Sequence, residues 1–199
     1  METKHVKIET ADPTTLGLFG LAMVTLVASS QKLGWTDGLS FILPWAFFLG
    51  GAAQLIAGIF DFKHKNLFGA TAFCAYGLFW IAVGMSWLIK LGCFGETLAA
   101  SADGKQLGFA FLGYMILSIA LTASTIKMNT AMFVLMSLIV VLFLGLGLDA
   151  LGLGHFWHTV AAWSELAISL VTFYVLCAKY LSGFFGKDIL PVGKAFCSK

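Results

Sequence analysis

The feature that most limits what this chain can fold into is a series of six apolar stretches, 16–30, 39–60, 67–90, 107–126, 130–149 and 156–182, parted by short polar intervals. Crossing ~30 Å of hydrocarbon takes about 20 helical residues at ~1.5 Å rise each. Six such spans use most of the 199 residues and leave no room for a second, soluble domain. Hydrophobic residues make up 59% of the chain and charged ones 11%, against roughly a quarter charged in an average soluble domain. That composition excludes a disordered chain, a disulfide scaffold and a nucleic-acid binder. No stretch alternates polar and apolar for ~10 residues, as a membrane barrel strand does. The fold class is an all-α integral membrane protein, a six-transmembrane-helix bundle.

The organisation follows as a polar tail over 1–15, a six-helix transmembrane domain over 16–182 and a second tail over 183–199. Ala28, Ser29 and Ser30 resemble a signal cleavage site, but the preceding tail carries three acids and is longer than a signal n-region, so an uncleaved first span is expected. Polar intervals fall at Lys32 to Asp37, Asp61 to Asn66, Gly92 to Lys105 and Lys127 to Asn129. All twelve basic residues are lysines. With both termini on one side, that side holds Lys4, Lys7, Lys63, Lys65, Lys127, Lys179, Lys187, Lys194 and Lys199, and the other only Lys32, Lys90 and Lys105. The positive-inside rule then places both tails in the cytoplasm. An even helix count also permits two three-helix halves of inverted orientation.

Polar residues inside the spans are the candidate functional ones. In the second span Gly50, Gln54, Gly58 and Asp61 share one helical face. Small residues at this spacing draw helices together, with Gln54 bonding between them; the same face would also serve as the wall of a polar path. The third span carries Phe73, Tyr76, Trp80 and Trp87. Its Tyr76 hydroxyl needs a partner away from water, and its mid-span position makes it a candidate constriction. The sixth span sets His158, Glu165, Ser169 and Thr172 on one stripe. An acid within a span costs ~2.5 kcal/mol or more and marks function by default, so Glu165 is a proton-relay candidate, or a protonated acid bonded to a neighbouring helix, or one facing a subunit contact. His155 and His158 with Glu165 would make an incomplete zinc set. The four cysteines form no CxxC pair and no phosphate-binding loop is present.

Three stretches carry a resemblance. Residues 50–58 (GGAAQLIAG), 66–73 (NLFGATAF) and 76–80 (YGLFW), with the tail segment 185–193 (FGKDILPVG), resemble the acetate uptake transporter (succinate–acetate permease) family over nearly the whole chain. The family's N-terminal Asn-Pro-Ala-Pro-Leu-Gly-Leu signature reads here Asp12-Pro13-Thr14-Thr15-Leu16-Gly17-Leu18. The resemblance implies a homo-hexamer with a solute path through each protomer and a narrow apolar constriction from the first, third and fifth spans. Leu21, Tyr76 and Leu138 are expected there, Leu21 standing where an aromatic residue is common. Gln54, Thr71, Tyr76 and Ser169 are the expected path and substrate contacts. Glu165 stands where family members carry Gly, so its role is not inherited.

With no Lys or Arg expected inside a span, a crossing carboxylate meets no fixed counter-charge. Stripping an ion of water costs several kcal/mol, while protonating a carboxylic acid at pH 7 costs roughly 4 kcal/mol. Passage as neutral acid, or as anion with proton, is therefore competitive. The expected function is movement of acetate, and of succinate or other small mono- and dicarboxylates, across the cell membrane with protons. No catalytic residue and no cofactor are expected; the partners are a small carboxylate, the lipid bilayer and five further copies of the chain. The alternatives are a membrane-embedded metal-dependent enzyme using His155, His158 and Glu165, and a membrane protein that conducts nothing.

Overall fold

The computed structural model describes residues 10–197, so Lys4, Lys7 and Lys199 of the expected polar tails lie outside the described residues. Six helices are long and apolar enough to cross a membrane. They are α1 (Thr14–Lys32), α2 (Ile42–Lys63), α3 (Leu67–Lys90), α5 (Gly104–Thr125), α6 (Thr130–Ala150) and α7 (His155–Phe185), with a single short helix, α4 (Glu96–Ala100), in the longest connection. Helices satisfy every mid-span backbone group internally, which lipid demands. Three of them begin at a side-chain cap in the polar intervals. Asn66, Asp103 and Asn129 accept from the first-turn backbone N–H groups of Gly69, Lys105 and Met132, capping α3, α5 and α6.

The boundaries depart from the hydropathy pattern at two places. The second span begins at Ile42 and runs to Lys63, and its segment Ala46–Ala53 is π-helical. The last helix continues past the apolar run to Phe185, so its 31 residues reach ~46 Å, longer than the hydrocarbon it crosses. It stops where Gly186 adopts φ 67°, the left-handed conformation that closes helices and suits glycine.

Packing divides the bundle into two trios. α2 packs on both α1 and α3, α5 packs on α6 and α6 on α7, and the main seam between the trios is α1 against α7, with a lighter contact of α3 on α5. An odd number of crossings separates them, so the trios enter the membrane from opposite sides. The core is apolar and aromatic, from Leu18 and Val24 through Tyr76, Phe79 and Trp80 to Leu135, Phe143 and Ile168. Outward-facing Phe48, Phe109, Ile116, Trp163 and Leu170 are exposed on the bare protomer, as a lipid-solvated or assembled surface requires. This is a multi-pass membrane protein.

Candidate solute path

Two cavities enter the bundle from opposite ends. The one on the side of the termini has a volume of about 250 Å³ and reaches from Thr14, Asn66 and Asn129 down to Leu21, Tyr76 and Ile139. The other, about 280 Å³, reaches from Lys90, Gly104 and Asp149 down to Phe79 and Trp80. Between them lies a void of about 20 Å³ that shares Leu21, Tyr76 and Ile139 with the first cavity and Phe79 and Trp80 with the second. A cavity needs at least ~10–15 Å³ to hold one water. The middle of the path is therefore a narrow apolar plug with room for a water and none for an organic acid.

Tyr76 is the centre of that plug. Its hydroxyl lies 2.8 Å from Ser118 Oγ on α5. Ser118 gives its own proton to the Tyr114 carbonyl at 2.7 Å, so the phenol donates to the serine. The ring stacks with Phe143 of α6 at a centroid distance of 6.1 Å, and Phe79 meets the Phe143 ring edge-on at 5.0 Å. A mid-span phenol must find a partner; here it is Ser118, and the ring it holds lies in the lining of the central void.

Leu21 lines the plug as expected, whereas Leu138 lines none of the three cavities and Ile139 occupies the place expected of it. One residue is about 100° on a helical wheel at ~3.6 residues per turn, enough to turn Leu138 away from the path. Gln54, Thr71 and Ser169 also lie outside the lining. The Gln54 amide donates to the Gly50 carbonyl of its own helix at 2.9 Å, and Ser169 donates to the Ala22 carbonyl at 2.8 Å, tying α7 to α1. The small-residue face of α2 is a packing face: a Cβ on Gly50 would lie 2.7 Å from Trp80 Cγ. Helices this close leave no channel between them. The π-helical segment Ala46–Ala53, with its wider i→i+5 turn, breaks the 3.6-residue register that would align Gly50 with Gln54, Gly58 and Asp61 of the α-helical part.

The sequence reading also misses a cation. Lys32, the last residue of α1, turns its ammonium into the second cavity and sits 2.8 Å from Glu165 Oε2. Glu165 is 1% exposed and Lys32 16%. The expectation that the path meets no fixed positive charge is therefore corrected: a lysine at a helix end reaches inward with its apolar stem. The signal was Glu165 itself, since an intramembrane acid calls for a named partner.

The metal reading loses its geometry at the same point. His155 and His158 stack face to face, ring centroids 5.3 Å apart. Glu165 lies seven residues beyond His158, about 10 Å along the helix, and its carboxylate is engaged by Lys32. Among the described residues no group of three or more His, Cys, Asp or Glu is placed to hold a metal ion.

At the mouth nearest the termini the chain ends fold over the bundle. Asp188, Leu190 and Val192 of the C-terminal segment line the first cavity. The segment is held by Tyr174, which donates to the Pro191 carbonyl at 2.6 Å, and by Thr130, which donates to the Lys194 carbonyl at 2.9 Å. Ala131 N–H donates to the Val192 carbonyl at 2.9 Å. On the opposite lip Lys179 pairs with Asp12 at 2.9 Å. Partial burial alone would raise the Asp12 carboxyl, but hydrogen bonds from Thr14 and Lys179, with the lysine charge, hold it below its ordinary value.

The family model described as the GPR1/FUN34/yaaH family matches residues 2–186. The chain belongs to that family. It is 31% identical over 188 residues to the succinate-acetate/proton symporter SatP of Escherichia coli K12, covering 93% of this chain and 96% of that protein. It is 32% identical over 154 residues to acetate permease A of Emericella nidulans, spanning about half (49%) of that longer protein. The solved structure of the bacterial acetate channel SatP superposes with a TM-score of 0.85 at 27% identity, over 93% of this chain and 100% of that one. The six-helix fold is thus that of a family whose members include proteins named as a succinate-acetate/proton symporter and an acetate permease.

Proposed function

We propose that this protein is a transporter or channel for small carboxylates, acetate and succinate among them, which cross the cell membrane accompanied by protons. The observation that carries this reading is the narrow apolar Tyr76 plug set between two cavities with charged walls, in a chain whose relatives include proteins named for acetate and succinate. A carboxylate held at either cavity faces a gap that gives it no hydrating partner. Bare passage costs several kcal/mol of desolvation; taking up a proton first costs roughly 4 kcal/mol at pH 7 and falls as the solution acidifies. The neutral acid is the form that a plug of Leu21, Tyr76, Ile139, Phe79 and Trp80 admits.

In this reading Tyr76, Leu21 and Ile139 set the constriction and Glu165 carries the proton. Both termini lie in the cytoplasm, supported by nine lysines on their side against three on the other. Six copies assemble, as the family resemblance implies, with each protomer keeping its own path. Uptake of labelled acetate into proteoliposomes tests the proposal: uptake is expected to rise several-fold as the outside pH falls from about 8 to about 5. A rate that stays flat over that range removes the proton, and vesicles as tight to acetate as bare bilayer remove transport altogether. The mass of the purified assembly checks the six copies.

A further inference from the structure

Glu165 and Lys32 are more than a packing contact, because both line the cavity that leads to Trp80 and the plug. A buried ion pair is weak evidence for stability; apolar replacements of similar volume often do as well. The same wall carries two other charged groups, Lys90 from α3 and Asp149 from α6, while α5 contributes the uncharged Gly104. Lys32 and Lys90 are two of the three lysines on the half of the protein away from the termini. A face that carries so few cations directs two of them into the path.

We infer that Lys32 is the substrate-carboxylate site of this cavity, and that Glu165 occupies it as a resident carboxylate until a proton and a substrate arrive together. The inference rests on the transport reading above and specifies its substrate contact. The ammonium has three donors, and one is given to Glu165 Oε2 at 2.8 Å. A substrate carboxylate is chemically the group that Glu165 already presents, so one can replace the other without new geometry. A proton from water adds to Glu165, Lys32 releases the neutral acid, and the ammonium pairs with the incoming carboxylate. One negative charge and one proton have entered, and the wall with its cargo keeps its net charge. Glu165 then gives that proton to the bound carboxylate and closes again on Lys32. The freed neutral acid is the form that passes the plug.

The test uses full-length protein in proteoliposomes, with labelled acetate, the variants Lys32→Gln and Glu165→Gln, and the double variant Lys32→Gln/Glu165→Gln. Lys32→Gln is expected to raise the acetate KM about tenfold, and Glu165→Gln to flatten the pH profile of uptake. The double variant holds no lone buried charge, so it folds, and it is expected to keep both defects. A double variant with the KM and pH profile of the unaltered protein would overturn the inference, since the pair would then be structural alone. Single variants with unchanged KM and pH profile would overturn it as well. Unaltered protein that moves no acetate defeats the transport reading itself, a different outcome from either.

Discussion

The phenol of Tyr76 is fixed at two points, its oxygen by Ser118 on α5 and its ring face by Phe143 on α6. Those holds have separable consequences. Tyr76→Phe removes the hydroxyl and leaves Ser118 Oγ without its donor, a loss of about 1 kcal/mol in thermal unfolding of the detergent-solubilised protein, with the plug still filled. Tyr76→Ala empties the plug, and acetate flux is expected to rise several-fold while larger acids lose their disadvantage, read by competition in the uptake assay. The same pair of variants explains why Tyr76 was legible in the sequence and its neighbours were not. A phenol inside lipid must reach another helix. Gln54 bonds the Gly50 carbonyl of its own helix and Ser169 the Ala22 carbonyl of α1, backbone contacts that are silent about solutes. Lys32 was hidden for the opposite reason: it stands at a boundary, where a lysine ordinarily points to water.

At the scale of elements, α3 and α6 open in the same way, each with an asparagine that accepts from the third backbone N–H beyond it. The two caps are expected to differ in worth. Asn129→Ala should cost about 1 kcal/mol, the usual value of an N-cap. Asn66→Ala should cost more, because the Asn66 amide also donates to Asp61 Oδ1 at 3.0 Å, and Asp61 is 1% exposed with its second oxygen unpartnered. Removing that donor strands a buried carboxyl. Thermal unfolding of the two variants side by side measures the difference, and equal losses would show Asp61 satisfied by other means. The existence of six helices was written in the hydropathy, since nothing but length and apolarity decides it. The π-helical segment of α2 was not; it coincides with the close seat of Gly50 against Trp80 of another helix, a tertiary contact that hydropathy does not carry.

For the whole molecule, sequence periodicity gave the number of crossings but could not say which of them touch. The contact of α1 with α7, at opposite ends of the described chain, joins the two trios and brings Lys32 to Glu165 across 133 positions of sequence. The two ends of the path are consequently unlike. Near the termini the wall is shared with the chain's own last residues and with the Asp12–Lys179 pair; at the far end it is the helices alone and a closed pair of opposite charges.

That closed pair has an electrical consequence. A wall that exchanges one carboxylate for another only as a proton is taken up moves no net charge through the bilayer when the cargo is a monocarboxylate, so on the inference above acetate transport is electroneutral and membrane voltage does no work on it. Vesicles clamped at different potentials with a potassium diffusion gradient are expected to take up acetate at equal rates, and a planar bilayer containing the protein should stay free of acetate current while the acid still crosses.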